Sequence, residues 1–276
     1  MGNAKKIGFV DLYISEWHAN NYPKWINEAC EKLGVDYKVA YAWAKVDKSP
    51  VYGDTTDEWC AKFGAEKCET IEELCEKSDV ILVLAPTNPE VHLEFAEKVL
   101  PFGKRTYIDK TFAPDLATAE KIFAIAKEHG TPFFSSSALR YATELDDSGD
   151  VTMISTFGGG SNLPEYIIHQ AEMVIKSLKA EPLSVKAEKV GGEVIFTAKF
   201  EGGKEAALRF EPAYPFGFAE EKKDGSKRFT LVQSDSFGGL ITDILKFFET
   251  GKVPFDPAET LKVMKLRDLC LEAAGL

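Results

Sequence analysis

Through the first half of the chain, apolar residues alternate between two spacings. Short apolar runs at 7–10, 38–43, 80–85, 105–109 and 132–136 read as strands, and stretches with helical spacing at 17–33, 56–63, 71–77, 90–100 and 116–129 lie between them. Strand alternating with helix predicts βαβ units and a parallel sheet. The run Val80-Ile81-Leu82-Val83-Leu84-Ala85 has no polar break, as a strand covered on both faces requires. Gly34, Gly64, Gly103 and Gly130 each stand just past a helical stretch, where a left-handed residue ends a helix. Pro114-Asp115 predicts a helix start.

The spacing changes after about Arg140. A polar, turn-rich segment, Asp146-Asp147-Ser148-Gly149-Asp150, lies close to the expected boundary, which divides the chain into 1–142 and 143–276. Beyond it come a strand at 151–157, the run Gly158-Gly159-Gly160 and a helix at 164–178. Strand-like runs follow at 183–190, 193–200, 205–211 and 228–232, with Gly191-Gly192 and Gly202-Gly203 as hairpin turns. Helices at 237–249 and 257–274 close the chain. The second domain is thus expected to be α+β, with a mainly antiparallel open sheet. Val185, Ile195 and Phe210 on that sheet need cover, which predicts a homodimer or higher homo-oligomer. The aromatic, proline-broken stretch 210–218 reads as a loop covering the site, a subunit contact or a plain hydrophobic satellite cluster.

Composition narrows the function. The chain has 276 residues and a formal net charge of −11, so binding to nucleic acid or to an anionic membrane surface is not expected. No run approaches the ~18 uninterrupted apolar residues of a membrane span, and no signal-peptide pattern precedes the first strand. Five cysteines, odd in number and without metal-ligand spacing, read as reduced thiols of a cytoplasmic protein. No metal site is expected from them.

Four segments carry chemistry in a recognisable order. Asp79-Val80-Ile81-Leu82-Val83-Leu84-Ala85-Pro86-Thr87 leads to His92, and Gly103-Lys104-Arg105-Thr106-Tyr107-Ile108-Asp109-Lys110-Thr111 follows. Then Ala126-Lys127-Glu128-His129-Gly130-Thr131-Pro132 leads to Arg140, and Gly158-Gly159-Gly160 to Glu165-Tyr166-Ile167-Ile168-His169. This order resembles the glucose–fructose oxidoreductase/inositol dehydrogenase family, also called Gfo/Idh/MocA. The resemblance implies a Rossmann-like N-terminal domain and an α+β substrate domain. It also implies NAD or NADP as coenzyme, and a sugar, cyclitol or related polyol oxidised or reduced at a hydroxyl or keto carbon.

Residue by residue, the family's Glu-Lys-Pro signature stands here as Asp109-Lys110-Thr111. The resemblance makes Lys110 an orienting and proton-transferring residue, while a bare reading of the strand end leaves it a solvated lysine. His169 is implied as the general acid/base, with Glu165 one helical turn away to orient it. An i,i+4 pair on an amphipathic helix is the plain alternative. Pro86, Thr87 and His92 are implied to line the nicotinamide side, with Asp109 beside them; a packing histidine is an equal reading of His92.

The first turn departs from the family. A dinucleotide site wants G-x-G-x-x-G after the first strand, and Asp11-Leu12-Tyr13-Ile14-Ser15-Glu16-Trp17-His18 has no glycine. Asp11 and Tyr13 stand about where the first two glycines belong, and the third falls near Ser15 or Glu16. Ser15 also suits a helix N-cap. The second strand ends Tyr41-Ala42-Trp43-Ala44, with no acid for a ribose; Trp43 is taken to border the coenzyme, and Lys45 is the only nearby cation for a 2′-phosphate. Asp11, Tyr13, Glu16, Trp17, His18, Asn20 and Asn21 crowd polar and aromatic groups at this mouth, suited to a polyol, an amine or a metal. Weak coenzyme binding is expected. The alternative function is a non-catalytic or regulatory small-molecule-binding protein that keeps the fold without the dinucleotide.

Overall fold

The computed structural model describes residues 4–145 and 147–276; Asp146 of the polar segment lies outside the described residues. Two compact units are present: Ser137–Gly239 with Asp256–Leu276, and the described part of Met1–Ser136 with Leu240–Phe255. The return of Leu240–Phe255 to the first unit is a discontinuity that a single boundary at 142/143 does not contain.

In the first unit, six strands form one parallel sheet: β1 (Lys5–Asp11), β2 (Tyr37–Ala44), β3 (Glu66–Lys67), β4 (Val80–Val83), β5 (Thr106–Ile108) and β6 (Phe133–Phe134). Their order is β3-β2-β1-β4-β5-β6, the doubly wound order whose crevice opens at the carboxyl ends of the strands. Helices α1 (Trp17–Leu33), α2 (Thr56–Phe63), α3 (Ile71–Lys77), α4 (His92–Val99) and α5 (Leu116–His129) connect them. The predicted helix at 90–100 is α4 flanked by 3₁₀ turns at Pro89–Val91 and Leu100–Phe102. Gly34, Gly64 and Gly130 end α1, α2 and α5 with left-handed φ of 66°, 71° and 64°. Phe9, Tyr22, Trp59, Leu82, Phe95 and Tyr107 are fully buried in this core.

The second unit carries β7 (Val151–Gly158), α6 (Leu163–Leu178), β8 (Pro182–Val190), β9 (Glu193–Phe200), β10 (Glu205–Phe210), β11 (Gly217–Lys222), β12 (Lys227–Leu231) and α8 (Ala258–Ala274). Helix α7 (Ser236–Thr250) precedes α8. The sheet order is β12-β11-β7-β10-β9-β8, antiparallel except for the β7–β10 pair. Helices α6 and α8 pack on one face. Phe210 lies on that covered face, 5% exposed, and Val185 sits opposite fully buried Ala198. Only Ile195 of the three residues expected to need cover belongs to the open face, where it is paired with Arg209 and Glu188. The apolar part of that face is instead built by Met153, Phe157, Phe229 and Leu231, with Phe157 and Phe229 stacked at 5.6 Å.

Strand β11 takes the end of the aromatic stretch that the sequence reads as a loop. The glycine run is a packing device. A Cβ on Gly159 would lie 2.1 Å from the Glu211 carbonyl oxygen and 2.5 Å from that of Pro212, so the 211–216 segment can cross only a glycine there.

Candidate functional site

The carboxyl ends of β1, β4 and β5 and the N-terminus of α1 meet around one buried carboxylate, Asp109. Its Oδ2 accepts a hydrogen bond from His18 Nδ1 at 2.5 Å and from the Tyr22 hydroxyl at 3.2 Å. Its Oδ1 accepts from the Lys110 amide at 2.8 Å and from the Tyr107 hydroxyl at 3.2 Å. His18 and Tyr22 stand one turn apart on α1, and their rings stack at 5.3 Å. Burial alone would raise the Asp109 carboxyl; the His18 partner and the hydrogen bonds outweigh it and hold the group below its usual range. Tyr22, buried beside that carboxylate, is pushed well up and stays a phenol.

Lys110 is 8% exposed, and its Nζ donates to the Pro86 carbonyl at 3.1 Å. The lysine is therefore not a solvated chain end. It ties the ends of β4 and β5 together, with a cis peptide bond following it to Thr111. Thr87 is exposed and its hydroxyl donates to Asn88. His92 has no exposed surface; its ring nitrogens face the Phe112 carbonyl at 3.0 Å and the Leu84 carbonyl at 2.5 Å, behind the end of β4. Burial lowers its pKa, and the ring packs between the Leu84 and Phe112 carbonyls and sets their spacing. Trp43 is half-buried, donates to the Glu69 carbonyl at 3.3 Å and lies edge-on to Phe95. Lys45 pairs with Glu94 at 2.5 Å.

At the first turn, the N-cap of α1 is Glu16, not Ser15. Its carboxylate accepts from the amides of His18 at 2.8 Å and Ala19. Ser15 is buried and its hydroxyl donates to Asp54 at 2.8 Å. Asp11 is 1% exposed; Oδ1 accepts from the Leu12 amide at 2.7 Å, while Oδ2 is buried with no hydrogen-bond partner among the described residues. Burial, with Glu16 and Asp109 close by, raises the Asp11 carboxyl well above its usual range. Tyr13 is half-buried. A coenzyme diphosphate needs open amide donors and close backbone approach here. The turn offers two carboxylates, spent donors and side chains at the glycine positions, so the residues present do not fit that group. Among the described residues, no three His, Cys, Asp or Glu side chains are arranged to hold a metal.

The second unit places the other expected residues. His169, half-buried on α6, has its Nδ1 2.6 Å from the Ser137 hydroxyl and packs between Tyr166 and Phe216, each at 5.6 Å. Glu165 turns to the helix cap: its carboxylate accepts from Asn162 Nδ2 at 3.0 Å, and its amide donates to Asn162 Oδ1 at 2.9 Å. Ser137 is itself held, its amide donating to Glu172 at 3.1 Å, and Glu172 pairs with buried Arg140 at 2.7 Å. Glu259 closes this ion-pair triad on Arg140. Ser137, Glu172, Tyr22 and Tyr107 are residues that sequence reasoning missed. The i,i+4 spacing of His18 and Tyr22 on α1 is a local signal that could have found Tyr22; the others meet through the tertiary fold.

Residues 51–136 match the family described as GFO_IDH_MocA, an oxidoreductase family with an NAD-binding Rossmann fold. A dTDP-3,4-didehydro-2,6-dideoxy-alpha-D-glucose 3-reductase from Actinomadura kijaniata is 27% identical over 117 residues, 40% of this chain and 35% of that protein. The aligned part thus spans about a third of that relative. The UDP-N-acetylglucosamine 3-dehydrogenase GnnA of Acidithiobacillus ferrooxidans superposes with a TM-score of 0.74 at 13% identity, covering 98% of this chain and 97% of its own. Apo scyllo-inositol dehydrogenase from Lactobacillus casei gives 0.74 at 15% identity, covering 98% and 96%. The chain thus matches the Gfo/Idh/MocA family model over residues 51–136 and shares the fold of these solved structures along nearly its whole length.

Proposed function

We propose that the protein works at a hydroxyl or keto carbon of a sugar, cyclitol or related polyol, as an oxidoreductase of this family. The observation that carries the reading is the place of Lys110, at the carboxyl end of β5 inside the matched segment, buried and anchored on Pro86. The names of the three proteins given above, enzymes of sugars or an inositol, support the substrate class. In this reading Lys110 is the proton-transferring residue of the first unit and His169 the acid/base of the second, where Ser137 takes the orienting part that the resemblance implied for Glu165. NAD or NADP is the coenzyme class of this reading. A second reading, a small-molecule-binding protein without a dinucleotide, is favoured by the Glu16 carboxylate on α1.

The test is a calorimetric panel of sugars, cyclitols and polyols, paired with turnover assays containing NAD(H) or NADP(H). Binding with turnover supports the first reading, and binding without turnover the second. A panel with no binder sinks both.

We take the protein to be a homodimer through the open face of its second sheet, where Met153, Phe157, Phe229 and Leu231 are gathered. Its five cysteines, all buried and unbridged, suit the reducing cytoplasm. Among the described residues, no helix is long and apolar enough to cross a membrane.

A further inference from the structure

A doubly wound domain ordinarily spends the first amides of the helix after β1 on a ligand's phosphates, because those N–H groups have no partner within the helix. In α1 those of His18, Ala19 and Asn20 are already taken. The amides of His18 and Ala19 donate to the Glu16 carboxylate, and that of Asn20 donates to the Glu16 carbonyl at 2.9 Å. Glu16 is only 6% exposed, so its carboxylate is packed in place and is not a surface group that swings aside. Beside it, Asp11 buries a carboxylate oxygen with no hydrogen-bond partner among the described residues. A diphosphate entering here would meet two acidic groups at close quarters, with the His18 and Ala19 amides already donating to Glu16.

We infer that this chain carries its own anion, the Glu16 carboxylate, in the place where such a helix end takes a dinucleotide diphosphate, so that neither NAD nor NADP resides on α1. Glu16 does for the helix what a phosphate does elsewhere: it satisfies the end amides and sets a negative charge on the positive end of the helix dipole. Asp11 adds a second barrier at the end of β1. What the edge still offers a ligand is the His18–Asp109 pair and Lys110, groups that suit uncharged hydroxyls. The inference goes beyond the proposed activity and does not rest on it. A coenzyme that only visits, at low affinity, remains compatible with turnover.

The full chain is titrated with NADH and NADPH by nicotinamide fluorescence, and with inorganic pyrophosphate by calorimetry. The wild-type protein is expected to show no saturation below about 1 mM, a binding free energy of roughly 4 kcal/mol. The double variant Asp11→Asn/Glu16→Ser keeps a capping hydroxyl while removing both charges, and should bind NADH and pyrophosphate at least ~10-fold more tightly. Asp11→Asn/Glu16→Gln, closer in shape, covers the case in which the first variant fails to fold. Low-micromolar binding of either coenzyme to the wild type overturns the inference. So does a folded double variant that binds no better than the wild type. A failed sugar panel would sink the proposed function and leave these titrations unaffected.

Discussion

His18 Nδ1 and Asp109 Oδ2 lie 2.5 Å apart, although 91 residues separate them in the chain. The contact joins the first turn of α1 to the end of β5 and fixes which imidazole nitrogen points away from the acid. Both side chains are nearly or fully buried, so each is the other's main compensation for lost water.

Breaking the pair from one side should therefore cost more than removing it. His18→Ala leaves the Asp109 charge buried and is expected to destabilise the fold by about 3–5 kcal/mol. His18→Ala/Asp109→Asn should cost less than the sum of its two single changes. Urea unfolding of the four proteins gives the coupling energy, and additive single effects would refute the pairing.

Asp11 predicts a pH dependence of stability. Its folded carboxyl is raised by burial, so the folded state favours the protonated form. The stability tied to this group is fully present below its unfolded pKa of about 3.9 and is lost as pH rises toward the folded value. Asp11→Asn, which does not titrate, should match the wild type near pH 3.5 and exceed it increasingly at higher pH. Thermal melts of both proteins across that range check the sign.

In the second unit, His169→Ala should lower turnover by ~10²–10⁴-fold, the usual worth of a positioned acid or base, with little change in melting temperature. Ser137→Ala should lower it less and shift the pH profile, because Ser137 only holds the ring. Glu165→Gln should leave the profile in place, since its carboxylate serves Asn162. A profile that moves with Glu165 and not with Ser137 would reverse these roles.

Phe229 is 68% exposed, the largest apolar surface on the open sheet, and stacks on Phe157. Phe229→Glu is expected to convert a dimer to a monomer in light scattering at high micromolar concentration, without unfolding. A wild-type protein that is already monomeric there would refute the open-face dimer.

Much of the first unit is legible in the sequence because its helices announce both ends. Thr55, Thr70 and Asp115 cap α2, α3 and α5 through side-chain hydrogen bonds, and left-handed glycines stop α2 and α5. Strand β3 escapes because two residues carry no period, and β11 because Pro212 and Pro215 break the apolar run just before it. The carboxylates at the first turn are visible as missing glycines. Their consequence is not, because Ser15 is the better cap by residue type, and only the tertiary bond to Asp54 takes it away and leaves the cap to Glu16. Nor does anything local pair His169 with Ser137, 32 residues away, in preference to the acid one turn before it.

The return of Leu240–Phe255 to the first unit bears on how such a gene can be cut and recombined. Phe247 and Phe255 pack against Phe134, and Phe248 against Tyr37, so Leu240–Phe255 completes a core begun near the start of the chain. A fragment ending at the polar turn would expose those rings and should be recovered as aggregate. Exchange of the N-terminal half between relatives must therefore carry this segment along.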